Sequence, residues 1–486
     1  PRSTLFPYTT LFRSHLFSTL FQGSHTNWFN YRHSFVFTFV MILMAAYEYQ
    51  NLASVKKKAV KKTVIFMAVA TLLIFTESYE FLSVGNVLLD FVFLAVIIGG
   101  IFYYRRKKKR TRAGGLAFLL LLCTILQLYV NYFVSMEHLF NGDWGSGMET
   151  VEQFNDSVAK KLPYVEMVKA SDDGFYRMED EYSRSGQAGN DPLFFNYNGL
   201  GHTRHDEETY IVLGAAKYGI SAAAEMQNFY DPGMSASMES LLGLKYVISP
   251  GDLAAEKGYE VWIEATDERE GNVYRNPYVL PVAILSNPAI ASCDLSDTAD
   301  VFAVQNRVWK SLTGGAEDIF TEEEDITFTT HNSFEAVELK KADVVGANDA
   351  GNYISYEFTA NKDGPIYFYN HSTFAENFGT SEDILKYLGT YKKGDRVYGL
   401  IGFNETVTEQ SLLNLIPQLY FGYEDREVLA KYADMLNRKQ VSLTRTDDAH
   451  LTGEVKAAEA QRLFFTIPYN KGWTLYVDGQ ETSLQK

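Results

Sequence analysis

Basic residues in this chain are bunched among apolar stretches, and that arrangement constrains its fold more than any motif. Lys56-Lys57-Lys58 with Lys61-Lys62 forms one cluster, and Arg105 through Arg110 with Arg112 forms a second. Around them, residues 28–47, 59–76, 84–104 and 115–134 each approach the roughly 20 apolar residues that span a bilayer core. Short loops rich in lysine and arginine stay on the cytoplasmic side. The loop carrying Glu77 and Glu80, and everything after about Val134, is therefore expected to face outward. The expectation is a polytopic α-helical membrane region followed by an extracytoplasmic α/β domain and a jelly-roll-like β-sandwich domain.

Charge divides the chain at the same place. Residues 1–134 hold 15 Lys/Arg and 4 Asp/Glu, a net +11, whereas the remainder carries a net −27 of the overall −16. An acidic region of that size argues against nucleic acid or anionic lipid as its partner and fits a solvated acidic surface. Cys123 falls in the fourth apolar stretch and Cys293 far beyond it, so no disulfide framework is expected and the outer region must be held by core burial. Pro1 to Ser14 reads as a non-native, adapter-derived segment, without the basic start and cleavage site of a signal peptide. At the other end, Asp478-Gly479 is a hairpin-turn signal followed by only a short return strand. The chain is expected to be a fragment.

Periodicity organises the rest into 15–134 as the membrane region, 135–320 as an α/β domain and 321–486 as a β-sandwich. Apolar spacing at Val151, Phe154, Val158 and Leu162 predicts a helix. Residues 238–244 read as a helix feeding a buried strand at 245–249, and 175–179 and 279–285 read as strands. From 325 onward, strands are predicted at 326–330, 334–340, 353–359, 365–370 and 396–403. A helix at 426–436 and strands at 441–447, 453–458 and 463–467 follow.

Several strings resemble, in order, the YfhO family of bacterial membrane proteins. They are Asn27-Trp28-Phe29-Asn30-Tyr31-Arg32, Phe175-Tyr176-Arg177, Asn190-Asp191-Pro192 with Asn196-Tyr197-Asn198-Gly199, and Leu242-Gly243-Leu244-Lys245-Tyr246. Asn276-Pro277-Tyr278, Gln305-Asn306 and Ile467-Pro468-Tyr469-Asn470-Lys471-Gly472-Trp473 complete the set. The resemblance covers the chain from about Ser24. It implies a GT-C type membrane glycosyltransferase that takes sugar from a polyprenyl-phosphate donor and decorates a cell-envelope polymer such as lipoteichoic acid. The family's catalytic carboxylate is expected upstream of this stretch, so the catalytic residues are not assigned. The segment Leu200 to His205 lacks the serine-rich run the family has there.

Three residues are the candidates for substrate binding. Arg32, beside the interfacial aromatics Trp28, Phe29 and Tyr31, suits either two-point binding of a lipid-linked phosphate or anchoring to ordinary lipid phosphate. Asp90, a carboxylate within an apolar stretch, is either functional or bonded to a neighbouring helix. Trp473, with Tyr469 and Tyr476, forms either a sugar-stacking platform or core. Glu77 and Glu80 read as loop solvation or a metal site beside a phosphate. His202, His205, Asp206, Glu207 and Glu208 lack the spacing of a zinc protease. Asn155, Asn370 and Asn404 fit the glycosylation sequon. No cofactor is expected in this stretch, although the full-length protein has room for a divalent metal. The expected partners are membrane lipid, a polyprenyl-phosphate-linked sugar and a cell-wall polymer, at the bacterial cell membrane. The alternative is a non-catalytic envelope binding or scaffold protein.

Overall fold

The computed structural model describes residues 34–50, 56–74, 84–106, 111–141, 150–181, 190–203, 222–223, 227–228, 234–266, 271–295, 300–331, 344–346, 352–370, 384–403, 413–414, 416–439, 441–447, 449–457 and 461–485. It divides into two units, Pro1–Met148 and Glu149–Lys486.

In the first unit four helices stand where the apolar stretches lie: α1 (Ser34–Gln50), α2 (Lys57–Ile74), α3 (Val84–Arg106) and α4 (Thr111–Asn141). Gly100 lets α3 approach α4 closely, since a Cβ there would sit 2.5 Å from the Leu119 side chain. The expected polytopic membrane region is corrected here. Among the described residues no helix is long and apolar enough to cross a membrane. α1 has 17 residues, about 26 Å at 1.5 Å per residue against a core of about 30 Å. α2 opens on Lys57, Lys58, Lys61 and Lys62, α3 encloses Asp90 and ends on Arg105 and Arg106, and α4 includes Thr124, Gln127 and Asn131.

The second unit opens with α5 (Val151–Ser171), started by a capping box in which the Thr150 hydroxyl accepts from Gln153 N–H and the Gln153 side chain from Thr150 N–H. Its buried face is Lys161, Tyr164, Val165 and Val168, one side of a 3.6-residue helix. Of the predicted stripe only Val158 packs against the core, while Val151 and Leu162 are exposed. The helix runs through Pro163 rather than stopping there.

Strand β1 (Arg177–Asp180) follows, then α6 (Ala236–Leu241), β2 (Leu244–Ser249), β3 (Glu260–Ile263) and β4 (Asn272–Arg275). Gly243, at φ +73, turns the chain from α6 into β2; a side chain in that left-handed conformation would be strained. The sheet order is β1-β2-β4-β3, with β1 parallel to β2 and the other pairs antiparallel. The cluster Tyr164, Val168, Met178, Tyr246, Ile248 and Val273 packs α5 on this sheet.

β5 (Ala283–Ser286) leads to α7 (Val301–Thr313), capped by Asp300 and closed by Gly314 in the left-handed conformation. β6 (Phe320–Glu322), β7 (Thr327–His331), β8 (Val344–Gly346), β9 (Asn352–Thr359), β10 (Gly364–Asn370), β11 (Ile384–Tyr391), β12 (Arg396–Phe403) and β13 (Leu419–Glu424) form two four-stranded sheets. Their orders are β7-β9-β12-β8 and β11-β10-β13-β6. β8 runs parallel to β12, so the jelly-roll-like β-sandwich expected is not wholly antiparallel. Residues of both sheets, among them Ile354, Phe358, Ile366, Phe368, Val397 and Phe421, share one core cluster. α8 (Arg426–Asn437), β14 (Val441–Arg445) and β15 (Leu451–Val455) come next. β16 (Arg462–Phe465) returns to pair with β5, and the chain closes on the hairpin β17 (Leu475–Val477) and β18 (Gln480–Thr482). A larger core, with Phe302 and Trp309 of α7 fully buried, gathers residues from Met234 to Leu436.

Phe421 is the hub of the two-sheet cluster, with the rings of Phe328, Tyr356, Phe358 and Phe368 centred 6.2, 4.8, 5.6 and 5.1 Å away. Phe421→Ala is expected to cost about 3–5 kcal/mol, and Phe421→Leu clearly less. The denaturant midpoint of the purified chain reads both; equal midpoints for Phe421→Ala and the parent would refute this packing.

Candidate functional site

Alternation along β1 sends Arg177 and Glu179 to one side of the sheet and Met178 and Asp180 to the other. All four are buried or nearly so, and the two sides differ in what they hold.

On the first side, the Arg177 guanidinium donates to the Leu242 carbonyl, to Thr466 Oγ1 at 3.1 Å and to the Thr466 carbonyl at 2.8 Å. Burial lowers its pKa to about 10, with the nearby Glu179 opposing. The Glu179 carboxyl accepts from the backbone N–H groups of Leu200 and, at 2.7 Å, Gly201. Burial raises it to about 7, against the pull of those two N–H groups. Gly199 is required beneath it: a Cβ would lie 2.4 Å from Pro192 Cγ and 2.8 Å from Glu179 Oε1. The same loop receives Met178 N–H on Asn198 O at 2.9 Å, while Asn198 takes Arg445 Nη1 on its side-chain oxygen at 2.9 Å.

On the second side, Lys161 of α5 bridges Asp180 at 2.6 Å and Asp191 at 3.0 Å. Buried charges survive when paired this way. A further buried network lies at α6 and the short helix Leu253–Lys257, where Lys257 Nζ sits 2.5 Å from Glu239 Oε1 and Tyr259 OH donates to Glu239 Oε2. Burial would lower Lys257, but Glu239 and Glu181 outweigh it and hold the amine above its ordinary value. Glu181, donated to by Ser249, is raised by burial to about 7. Glu424 accepts from Ser237 N–H at 2.8 Å and is also raised by burial.

A second kind of surface stands at the terminal hairpin. Asp478 and Gly479 turn it at φ 51 and 79, as a two-residue hairpin with two positive φ values does. Trp473 is 39 % exposed and Tyr476 62 % exposed, while Tyr469 is half-buried. These rings are not core. The Trp473 N–H donates to Asn470 O at 3.0 Å, which fixes the loop.

Of the predicted substrate-binding residues, only Trp473 is described in full. Asp90 falls within α3 but its side chain lies outside the described residues, as do Arg32, Glu77, Glu80, His205, Asp206, Glu207, Glu208 and Asn404. His202 lies in a two-residue strand opposite Asn228. Asn370 is buried, and Asn155 is on α5. Among the described residues no group of three or more His, Cys, Asp or Glu could hold a metal ion. Sequence reasoning did not single out Glu179, Lys161, Asp180 or Asp191 as site residues. For Glu179, Asp180 and Asp191 the signal available was their position within or beside the strings Phe175-Tyr176-Arg177 and Asn190-Asp191-Pro192, which the fold brings together with Asn198, Leu242 and Thr466; Lys161 lies outside both strings.

A family model described as "Bacterial membrane protein YfhO" matches residues 5–486. No curated protein matches the chain, and no solved structure does.

The protonation of Glu179 has a consequence for stability. The folded chain holds this proton to about pH 7, against an ordinary value of 4.5. Its contribution is therefore fully present below 4.5 and is lost as pH rises through 7, by up to about 3 kcal/mol. Glu179→Gln keeps a carbonyl acceptor for the two N–H groups and cannot ionise. Its stability is expected to fall less than the parent's between these limits, as read by denaturant titration at each pH. An unchanged pH dependence would mean that Glu179 is ionised in the fold throughout.

Proposed function

The chain belongs to the YfhO family of bacterial membrane proteins, and on that premise we propose that it acts in sugar transfer from a polyprenyl-phosphate donor to a cell-envelope polymer such as lipoteichoic acid. In this reading the acidic second unit lies outside the cytoplasm and positions the acceptor. Arg32 holds the donor phosphate by paired hydrogen bonds, which a planar guanidinium makes better than an ammonium. Asp90 contacts the polar part of the donor, and Trp473 and Tyr476 stack on sugar rings of the acceptor.

The observation that carries the acceptor part is the exposure of Tyr476 on the terminal hairpin and of Trp473 in the loop just before it, the turn and the loop each being fixed by backbone bonds. Aromatic faces left in solvent beside fixed polar groups are what carbohydrate recognition uses, since the faces of a sugar ring present C–H groups to them. The second reading, an envelope binding protein without transfer, draws on the same hairpin, because the buried carboxylates Glu179, Glu239 and Glu424 are held in internal hydrogen bonds.

Transfer of labelled sugar from the lipid-linked donor, measured with the protein in membranes, tests the proposal. Arg32→Ala is expected to lose about 1.5–3 kcal/mol of transition-state stabilisation, roughly ten- to a hundredfold in rate. Arg32→Lys should recover part of it. Trp473→Ala should weaken acceptor binding by about 0.5–1.5 kcal/mol and leave donor use unchanged. Acceptor binding that depends on Trp473, with no transfer by the parent protein, would favour the binding protein. Full transfer by Arg32→Ala would remove Arg32 from the site.

A further inference from the structure

Where α6 of the first sheet meets the end of β13 in the two-sheet body, charge does not balance. Glu239 on α6 and Glu424 on β13 are buried, and Glu181 and Glu256 partly so. The cations that act on these carboxyls among the described residues are Lys257 and Arg426. Lys257 and Tyr259 are both committed to Glu239, and Arg426 gives an Nη2–H to the backbone carbonyl of Glu256. Three phenols, Tyr259, Tyr278 and Tyr367, complete the titratable groups around Glu424. Glu424 Oε1 accepts from Ser237 N–H at 2.8 Å. Its Oε2 is buried without a hydrogen-bond partner, and so are Tyr367 OH and Arg426 Nε beside it.

We propose that this junction is a proton-operated latch: a proton held on Glu424 fastens β13 of the two-sheet body to α6 of the first sheet, and its loss loosens the contact. A buried carboxylate short of counter-charge takes up a proton in preference to staying ionised. The acids here are not arranged to take a metal ion instead, since among the described residues no group of three or more could hold one. Oε2 is the oxygen open to the proton, because Oε1 is already engaged by Ser237. Burial raises Glu424 above the ordinary carboxylate range and raises Glu181, in the same cluster, to about 7. The neighbours do not change charge with them. Burial and the nearby carboxylates hold all three phenols above 10, and Glu239 with Glu181 holds Lys257 above its ordinary value. The stabilisation from a raised carboxyl is complete below its ordinary value of 4.5 and is lost as pH rises through the raised one. The latch does not depend on sugar transfer, so the two fail separately.

Hydrogen exchange of the chain at about pH 5 and about pH 9 tests this, with each rate divided by the intrinsic rate at that pH. In the parent, protection of α6 and β13 should fall at least about tenfold more than that of β9, a buried strand of the same body that serves as reference. Glu424→Gln keeps a carbonyl for the Ser237 N–H and cannot ionise, so its excess fall should shrink to about threefold or less. Glu179→Gln, which removes the other buried carboxyl of raised pKa near the first sheet, should leave the excess fall as in the parent. A fall at α6 and β13 no larger than at β9 would overturn the proposal, as would an unchanged excess in Glu424→Gln. Loss of the excess in Glu179→Gln would overturn it too, by moving the responsible proton to Glu179. The parent and Glu179→Gln decide the matter if Glu424→Gln does not fold.

Discussion

A single buried guanidinium ties the second unit together. Arg177 lies on a four-residue strand, yet its donors reach Leu242 and Thr466, so a local strand is fastened to two distant segments at once. The energetic logic is asymmetric. A charge-assisted hydrogen bond contributes about 1.5–3 kcal/mol, whereas leaving such a group buried without acceptors costs more than the bonds gained. The carbonyls of Leu242 and Thr466 must therefore stay in place, which fixes the turn at Gly243 and the return of β16 to β5. Glu179 extends the same fastening to the loop at Leu200 and Gly201, and Lys161 extends it to α5.

Much of the local structure was legible because short-range chemistry decides it. Arg396–Phe403, Gly364–Asn370 and Arg426–Asn437 were readable from alternation or helical spacing to within a residue or so, and the Asp478-Gly479 turn from its backbone preference. The burial of α5 was less legible. Val151 and Phe154 have the spacing of a core stripe, but the sheet meets the helix about three turns later, at Tyr164, Val165 and Val168. Periodicity tells which residues share a face and not whether anything covers it. The polar site was least legible, since Arg177 and Thr466 are 289 positions apart and nothing in either neighbourhood names the other. The family strings marked the places, and only the fold shows why those places belong together.

The apolar first unit shows where hydropathy reaches its limit. Four apolar stretches did become helices, but lysines in α2, Asp90 in α3 and the shortness of α1 count against reading each as a span, and among the described residues none is long and apolar enough to cross. Membrane association rests on family membership. The contrast in charge between the two parts of the chain is consistent with different surroundings for each.

The central claim is that Arg177 couples segments far apart in sequence into one cooperative structure. Native-state hydrogen exchange of the full chain, comparing the parent with Arg177→Met, tests it most directly, because amide protection reports opening segment by segment. The account predicts a joint loss of protection at β1, at β2 after the Gly243 turn, and at β5 with β16, all by a similar factor. Loss confined to β1, with β5 and β16 protected as in the parent, would contradict it.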